Sequence, residues 1–188
     1  QTLQDIESPI TPPYDRVPSV SLAYQRSLLD NWRSGETTLQ LRTEFTRFES
    51  DPTLTGQPNG ERTLAIAQIG HRWQAPGWFV EPRARMHHTQ YRFDGPLANG
   101  LSTATRTLPT VALDSGLVFE REASYFGRAF TQTLEPRAFF TWTPSRDQSL
   151  LPNYDSGATD FNLATIYSEN VFTGNDRISD TRALTLGV

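Results

Sequence analysis

The sequence predicts an all-β fold, an antiparallel up-and-down meander of long strands. Three observations predict it. Apolar and polar residues alternate with a period of two over long stretches. Thirteen Pro and twelve Gly fall at intervals that interrupt any long helix. The connections between the alternating stretches are by turns short and long.

Eight candidate strands follow, near residues 18–28, 37–48, 62–74, 78–93, 107–121, 129–143, 160–170 and 180–188. In the second, polar residues at 38, 40, 42, 44 and 46 oppose Leu39, Leu41, Thr43 and Phe45. In the fifth, Val111, Leu113, Leu117 and Phe119 share a face, with Thr110, Asp114 and Glu120 opposite. The sixth sets Phe130, Leu134, Pro136, Ala138, Phe140 and Trp142 against Thr131, Thr133, Glu135, Arg137, Phe139 and Thr141. Several strands exceed the ~5–6 residues usual in soluble proteins. They suit the ~9–11 residues that a tilted strand needs to cross a bilayer.

The first connection, 30–36, is short and the next, 49–61, is long and rich in Gly, Pro, Asp and Thr. Ala75-Pro76-Gly77 is a tight turn, 94–106 is long, 122–128 short, 144–159 the longest and 173–179 short. This rhythm fits an outer-membrane barrel, with tight periplasmic turns on one rim and longer loops on the other. Trp32, Trp73, Trp78, Phe79, Tyr125 and Phe126 gather at the short turns, as interfacial aromatics do. The pattern favours a membrane barrel over a soluble β-sandwich binding module.

Composition narrows the chemistry. The 188 residues carry a net charge of −4, a mean hydropathy of −0.52 and no Cys. Thiolate nucleophiles, Cys-ligated metals and internal disulfides are therefore excluded for this chain. All 17 basic residues are Arg, which excludes a P-loop lysine and Schiff-base chemistry. The acidic balance argues against a nucleic-acid partner. No apolar run is long enough for a membrane helix. Residues 1–6 carry neither the basic nor the apolar segment of a signal peptide, and the chain ends within an alternating pattern, so a piece of a longer protein is expected.

Candidate sites are few. His87 and His88 are adjacent, so on a strand they point to opposite faces and cannot share an ion; His71 lacks carboxylate partners at ligand spacing. No metal or cofactor is expected. Asp114-Ser115 invites a hydrolase reading, that of a complete small barrel enzyme. It has no G-x-S-x-G elbow, and such a barrel is expected to end on an aromatic, unlike Val188. Glu135 and Arg137 lie two apart on the polar face of the longest strand, with Thr131 and Thr133. Charge on the lipid face is penalised, so these four are expected to face the lumen. Pro136 between them removes a ladder hydrogen bond. Arg146-Asp147-Gln148, Asn153-Tyr154-Asp155-Ser156-Gly157 and Asn175-Asp176-Arg177 read as turn chemistry, without the register of a calcium loop.

Several of these segments carry a resemblance. The runs Thr131-Gln132-Thr133-Leu134-Glu135-Pro136-Arg137, Arg146-Asp147-Gln148, Asn153-Tyr154-Asp155-Ser156 and Gly174-Asn175-Asp176-Arg177-Ile178 closely resemble the outer-membrane LPS-assembly proteins of Gram-negative bacteria, the LptD family. Pro13-Tyr14-Asp15-Arg16-Val17-Pro18 and Phe119-Glu120-Arg121 extend the match. The resemblance implies that residues 1–188 are the central part of a large C-terminal transmembrane barrel. It implies a non-enzymatic role in inserting lipopolysaccharide into the outer leaflet, and location in the outer membrane. It also implies a lipoprotein plug like LptE and a periplasmic LPS-bridge protein that acts through an N-terminal jellyroll. This chain lacks the jellyroll, the gate strands and the family's disulfide cysteines, so no residue of those parts is assigned. The loop residues Arg146, Asp147, Gln148, Asn153, Tyr154 and Asp155 are expected, by resemblance alone, to contact the lipoprotein.

Overall fold

Alternating residues can satisfy two environments at once only when the backbone is extended and paired. The computed structural model shows that pairing throughout. It describes residues 13–188 apart from 31–34, 98–99, 161 and 164; Trp32 and the tip of the first connection lie outside the described residues. The strands are β1 (Asp15–Asp30), β2 (Gly35–Glu49), β3 (Gly60–Ala75), β4 (Trp78–Phe93), β5 (Thr103–Leu117), β6 (Phe119–Tyr125), β7 (Arg128–Leu134), β8 (Arg137–Thr143) and β9 (Thr181–Gly187). A single helical turn, α1 (Pro52–Thr55), is capped by the Asp51 carboxylate, which accepts from the Thr53 N–H.

The seven-stranded sheet runs β1-β2-β3-β4-β5-β8-β9, and every neighbouring pair is antiparallel. Among the described residues β6 and β7 pair only with each other. They nonetheless continue the β5–β8 hairpin, because Gly116↔Arg137 and Phe119↔Leu134 belong to one unbroken register. The ladder is interrupted where expected. Leu117 donates to the Pro136 carbonyl at 3.0 Å, but Pro136 has no N–H to return.

The stretch 160–170 is expected to be a strand, but its described residues form none. They bond locally instead. The Thr165 hydroxyl donates to the Asp160 carbonyl at 2.8 Å and accepts from the Asn162 N–H at 3.0 Å, and Ser168 donates to the Thr165 carbonyl at 2.7 Å. Such side-chain bonds compete with a ladder. The expected connections 144–159 and 173–179 therefore merge into one long loop, 144–180. This makes the short–long rhythm regular, with tight turns at Pro76-Gly77 and Phe126-Gly127 and long connections at 50–59, 94–102 and 144–180.

The two sheet faces differ sharply. One exposes Val20, Leu22, Tyr24, Leu41, Phe45, Ile69, Met86, Val111, Leu113, Leu117, Phe140, Trp142, Leu184 and Leu186. This apolar band runs diagonally. On β1 and β2 it centres on Tyr24↔Leu41, a row that continues through Ala67, Met86 and Pro109. On β8 and β9 it has moved toward the short turns, centring on Phe140↔Leu184. An exposed apolar surface this extensive marks an interaction face, and its slant is the one that tilted barrel strands produce.

The other face is polar and is covered by the 144–180 loop. The same strand shows both environments: in β5, Leu108 is 1% exposed on the covered face while Leu113 is 42% exposed on the open one. A small aromatic core of Phe48, Tyr91, Phe93 and Tyr154 sits on the covered face near the long connections. The Tyr154 ring stacks on Phe48 at 4.6 Å.

Candidate functional site

The covered face carries a chain of ion pairs, and its centre is Arg62. This side chain is fully buried, with 0% exposure. Strand pairing sets it beside Thr46 of β2 and Tyr91 of β4, all on one face. Its Nη1 donates to Asp155 Oδ1 and Asp176 Oδ1, each at 2.8 Å. Its Nη2 donates to Glu44 Oε1 at 2.9 Å and Asp155 Oδ2 at 2.7 Å. The guanidinium also lies 4.8 Å over the Phe48 ring, a favourable cation–π geometry. Three carboxylates thus meet one buried cation. Arg42 pairs with Glu44, and Arg16 reaches Asp155 at 3.4 Å.

Asp176 ties the loop to this point. Besides Arg62 it accepts from the Tyr91 hydroxyl at 2.8 Å, the Tyr154 N–H at 2.7 Å and the Asp155 N–H at 2.9 Å. Arg106 of β5 donates to the carbonyls of Asp176 and Asn175 and to Gln148 Oε1. Gln148 returns a bond to the Ile178 carbonyl at 2.7 Å. Farther along the sheet, Glu169 forms ion pairs with Arg83 and Arg85 at 3.1 Å each. Arg137 donates to Asp114 at 2.9 and 2.6 Å and lies 4.2 Å over the Tyr167 ring. Buried charge is tolerated only when paired and hydrogen-bonded, and this network meets both conditions around Asp155 and Asp176.

Burial opposes ionisation of Asp155, but the Arg62 hydrogen bonds and charge outweigh it and hold the carboxyl at about 2, against an ordinary 3.8. A folded value below the unfolded one adds stability above the ordinary value and loses it as pH falls through the folded one. Amide-exchange protection of the loop in the full-length protein is therefore expected to hold from pH 7 to about 4 and decline toward pH 2. Asp155→Asn should remove that acid transition. A decline that persists unchanged in the variant would show that another group controls docking.

The residues singled out from sequence fall in several places. Arg137 lies on the covered face. Thr131 and Thr133 lie on the same side by register, exposed along the hairpin beyond the seven-stranded sheet; Glu135, between β7 and β8, is exposed. Of the loop residues, Tyr154 and Asp155 are turned into the network, and Gln148 is half-buried between Arg106 and Ile178. Arg146, Asp147 and Asn153 are exposed. Asp147 accepts from the Ser149 N–H and hydroxyl, and Asn153 exchanges bonds with Ser156. The expected turn chemistry is thus present, but Asp155 and Asp176 also anchor a network that turn chemistry alone does not suggest. Glu44, Arg62, Tyr91 and Arg106 were missed as partners. Their one sequence signal is polar or hydroxylated residues on the face opposite the apolar band.

The other candidates come apart. Asp114 is engaged by Arg137, while Ser115 faces the opposite side and donates to the Ala138 carbonyl at 3.3 Å. His87 is buried on the covered face; His88 points to the open one and bonds Thr107 at 2.8 Å. Among the described residues no three His, Cys, Asp or Glu side chains gather as a metal site.

A two-faced sheet with a charged, loop-covered interior suits a wall between lipid and an aqueous space. Comparison with known proteins agrees with that chemistry. The family model described as LptD, LPS transport system D, matches residues 1–188. The chain is 56% identical over its whole length to the LPS-assembly protein LptD of Polaromonas sp. (strain JS666) and 54% identical to that of Acidovorax sp. (strain JS42). It is 42% identical, again over its whole length, to the LPS-assembly protein LptD of Ralstonia nicotianae. It spans 23%, 22% and 23% of the length of these three curated relatives.

Proposed function

The chain belongs to the LptD family, and on that premise we propose that it forms part of the barrel wall of an outer-membrane translocon that inserts lipopolysaccharide into the outer leaflet. The role is non-enzymatic. Moving an amphiphile requires no bond-making group in the wall; it requires a sheet without exposed edges in lipid and a polar inner surface. The observation that carries this reading is the contrast between the faces, apolar and open on one side, charged and loop-covered on the other.

Residues 1–188 are the central part of the C-terminal barrel in this reading, and the tight turns lie at the periplasmic rim. Thr131, Thr133, Glu135 and Arg137 face the lumen side. A lipoprotein plug like LptE would meet the loop at its exposed residues Arg146, Asp147 and Asn153, because Gln148, Tyr154 and Asp155 already hold the loop to the sheet. A periplasmic bridge protein would deliver lipopolysaccharide through a domain beyond these residues.

Cysteine labelling of the full-length protein in membranes tests the assignment of faces. A water-soluble maleimide is expected to modify Glu135→Cys and Arg137→Cys and to spare Phe140→Cys and Trp142→Cys. Modification of 140 and 142 without 135 and 137 would reverse it.

A further inference from the structure

The β6–β7 hairpin is the part of the fold that the wall does not use. It extends beyond the β3–β4 turn as a two-stranded ribbon, with all seven β7 residues exposed. Its cross-strand pairs separate its side chains cleanly. Phe119↔Leu134, Arg121↔Gln132, Ala123↔Phe130 and Tyr125↔Arg128 share one face. Glu120↔Thr133, Glu122↔Thr131 and Ser124↔Ala129 share the other. The two charged side chains of the first face, Arg121 and Arg128, are cationic, and the two of the second, Glu120 and Glu122, are acidic.

Two further features point to a ligand surface. The unbroken register makes the aromatic–arginine face a direct continuation of the lipid-facing band through Leu117 and Phe119. At the tip, Phe126 adopts φ 48° and is 89% exposed, packed edge-on to Tyr125 at 4.4 Å. A large apolar residue in the left-handed region is disfavoured, and nothing in the fold shelters this ring in return. Aromatic bodies flanked by arginines match the boundary between acyl chains and anionic headgroups, where rings sit at headgroup depth and each arginine adds electrostatic attraction.

We propose that the β6–β7 hairpin is a lipid-docking paddle that lays its Phe119–Tyr125–Phe126–Phe130 face, with Arg121 and Arg128, on the anionic phospholipid headgroup layer of the periplasmic leaflet. The acidic face, Glu120 and Glu122, turns to the aqueous side. The paddle rests on the barrel reading above, since that reading supplies both the bilayer and its orientation.

The test uses full-length protein in nanodiscs of phosphatidylethanolamine with or without phosphatidylglycerol. An environment-sensitive dye is attached at Phe126→Cys or, at a position with ordinary backbone geometry, at Tyr125→Cys; a third probe at Leu113→Cys reports the barrel band. Spin-labelled lipids should quench the dye at 113 deeply and the dyes at 125 and 126 at headgroup depth. Phosphatidylglycerol should raise the docked fraction, and each of Arg121→Gln and Arg128→Gln should lower the docking constant roughly fivefold. A quenched probe at 113 beside probes at 125 and 126 that respond only to aqueous iodide would overturn the paddle alone. Probes at 125 and 126 that neither lipid nor iodide quenches, beside a quenched probe at 113, would mean a tip shielded by protein and would equally overturn the paddle. An unquenched probe at 113 would overturn the barrel reading and the paddle together.

Discussion

Replacing Arg62 by alanine in the full-length protein is expected to release the 144–180 loop from the sheet and to cost about 3–5 kcal/mol, the range for breaking a buried ion pair from one side. The penalty comes less from lost attraction than from what remains. Glu44, Asp155 and Asp176 would lose the one guanidinium that all three carboxylates bond, leaving Arg106, which donates to the Asp176 carbonyl and to none of the three carboxylates, and Asp176 has 0% side-chain exposure. Repulsion and desolvation then favour swinging the loop into water. The measurement is limited proteolysis and hydrogen exchange. Protection should fall across Tyr154–Asp155 and Asn175–Ile178 while the β2–β3–β4 ladders stay protected. Arg62→Met, which fills the volume without restoring charge, should release the loop similarly; a loop that stays protected in both variants would show that the aromatic stacking of Tyr154 on Phe48 suffices to hold it.

Introducing a charge at the middle of the open face should be the second large effect. Leu113 lies opposite Pro82 on one side and Phe140 on the other, a row of the apolar band well away from either end. Leu113→Arg is expected to lower folding stability in a bilayer by about 2–4 kcal/mol, as for arginine at the bilayer midplane of a barrel. Thr105→Arg, four rows toward the long connections on the same strand and face, is expected to cost about 0–1 kcal/mol by the same depth dependence. Urea titration of the full-length protein folded into vesicles reads both. Equal costs at 113 and 105 would mean that the open face does not sample a depth gradient, and would remove the membrane assignment.

Much of the sheet is legible in the sequence because alternation is a local signal. Residues 38–46 alternate with one exception, Thr43, and β2 forms there with Glu44 and Thr46 buried and Leu41 and Phe45 exposed. Pro136 was readable as an interruption for the same local reason. The 160–170 stretch was not, since its apolar spacing imitates a strand while Asp160, Asn162, Thr165 and Ser168 supply bonds that close short turns. The Arg62 network was illegible for the opposite reason. Its members are 18, 93 and 114 residues from Arg62 in sequence, and only register and the return of the loop bring them together. The runs Asn153–Ser156 and Gly174–Ile178 carried the family resemblance without disclosing their chemistry. The two runs converge on Arg62.

In the barrel proposed above, the loop covering the polar face lies inward and sets a lower limit on the size of the enclosure. In an eight-stranded barrel the inward side chains by themselves fill the interior. Here a second layer of chain stands between the sheet and any central axis, with Tyr167 over Arg137, Glu169 on Arg83 and Arg85, and Tyr154 on Phe48. Closing the sheet around that layer requires a larger circumference, and hence gentler curvature, than eight strands provide. The seven strands are then an arc whose radius is dictated by what the wall folds inward, before any partner or cargo is admitted.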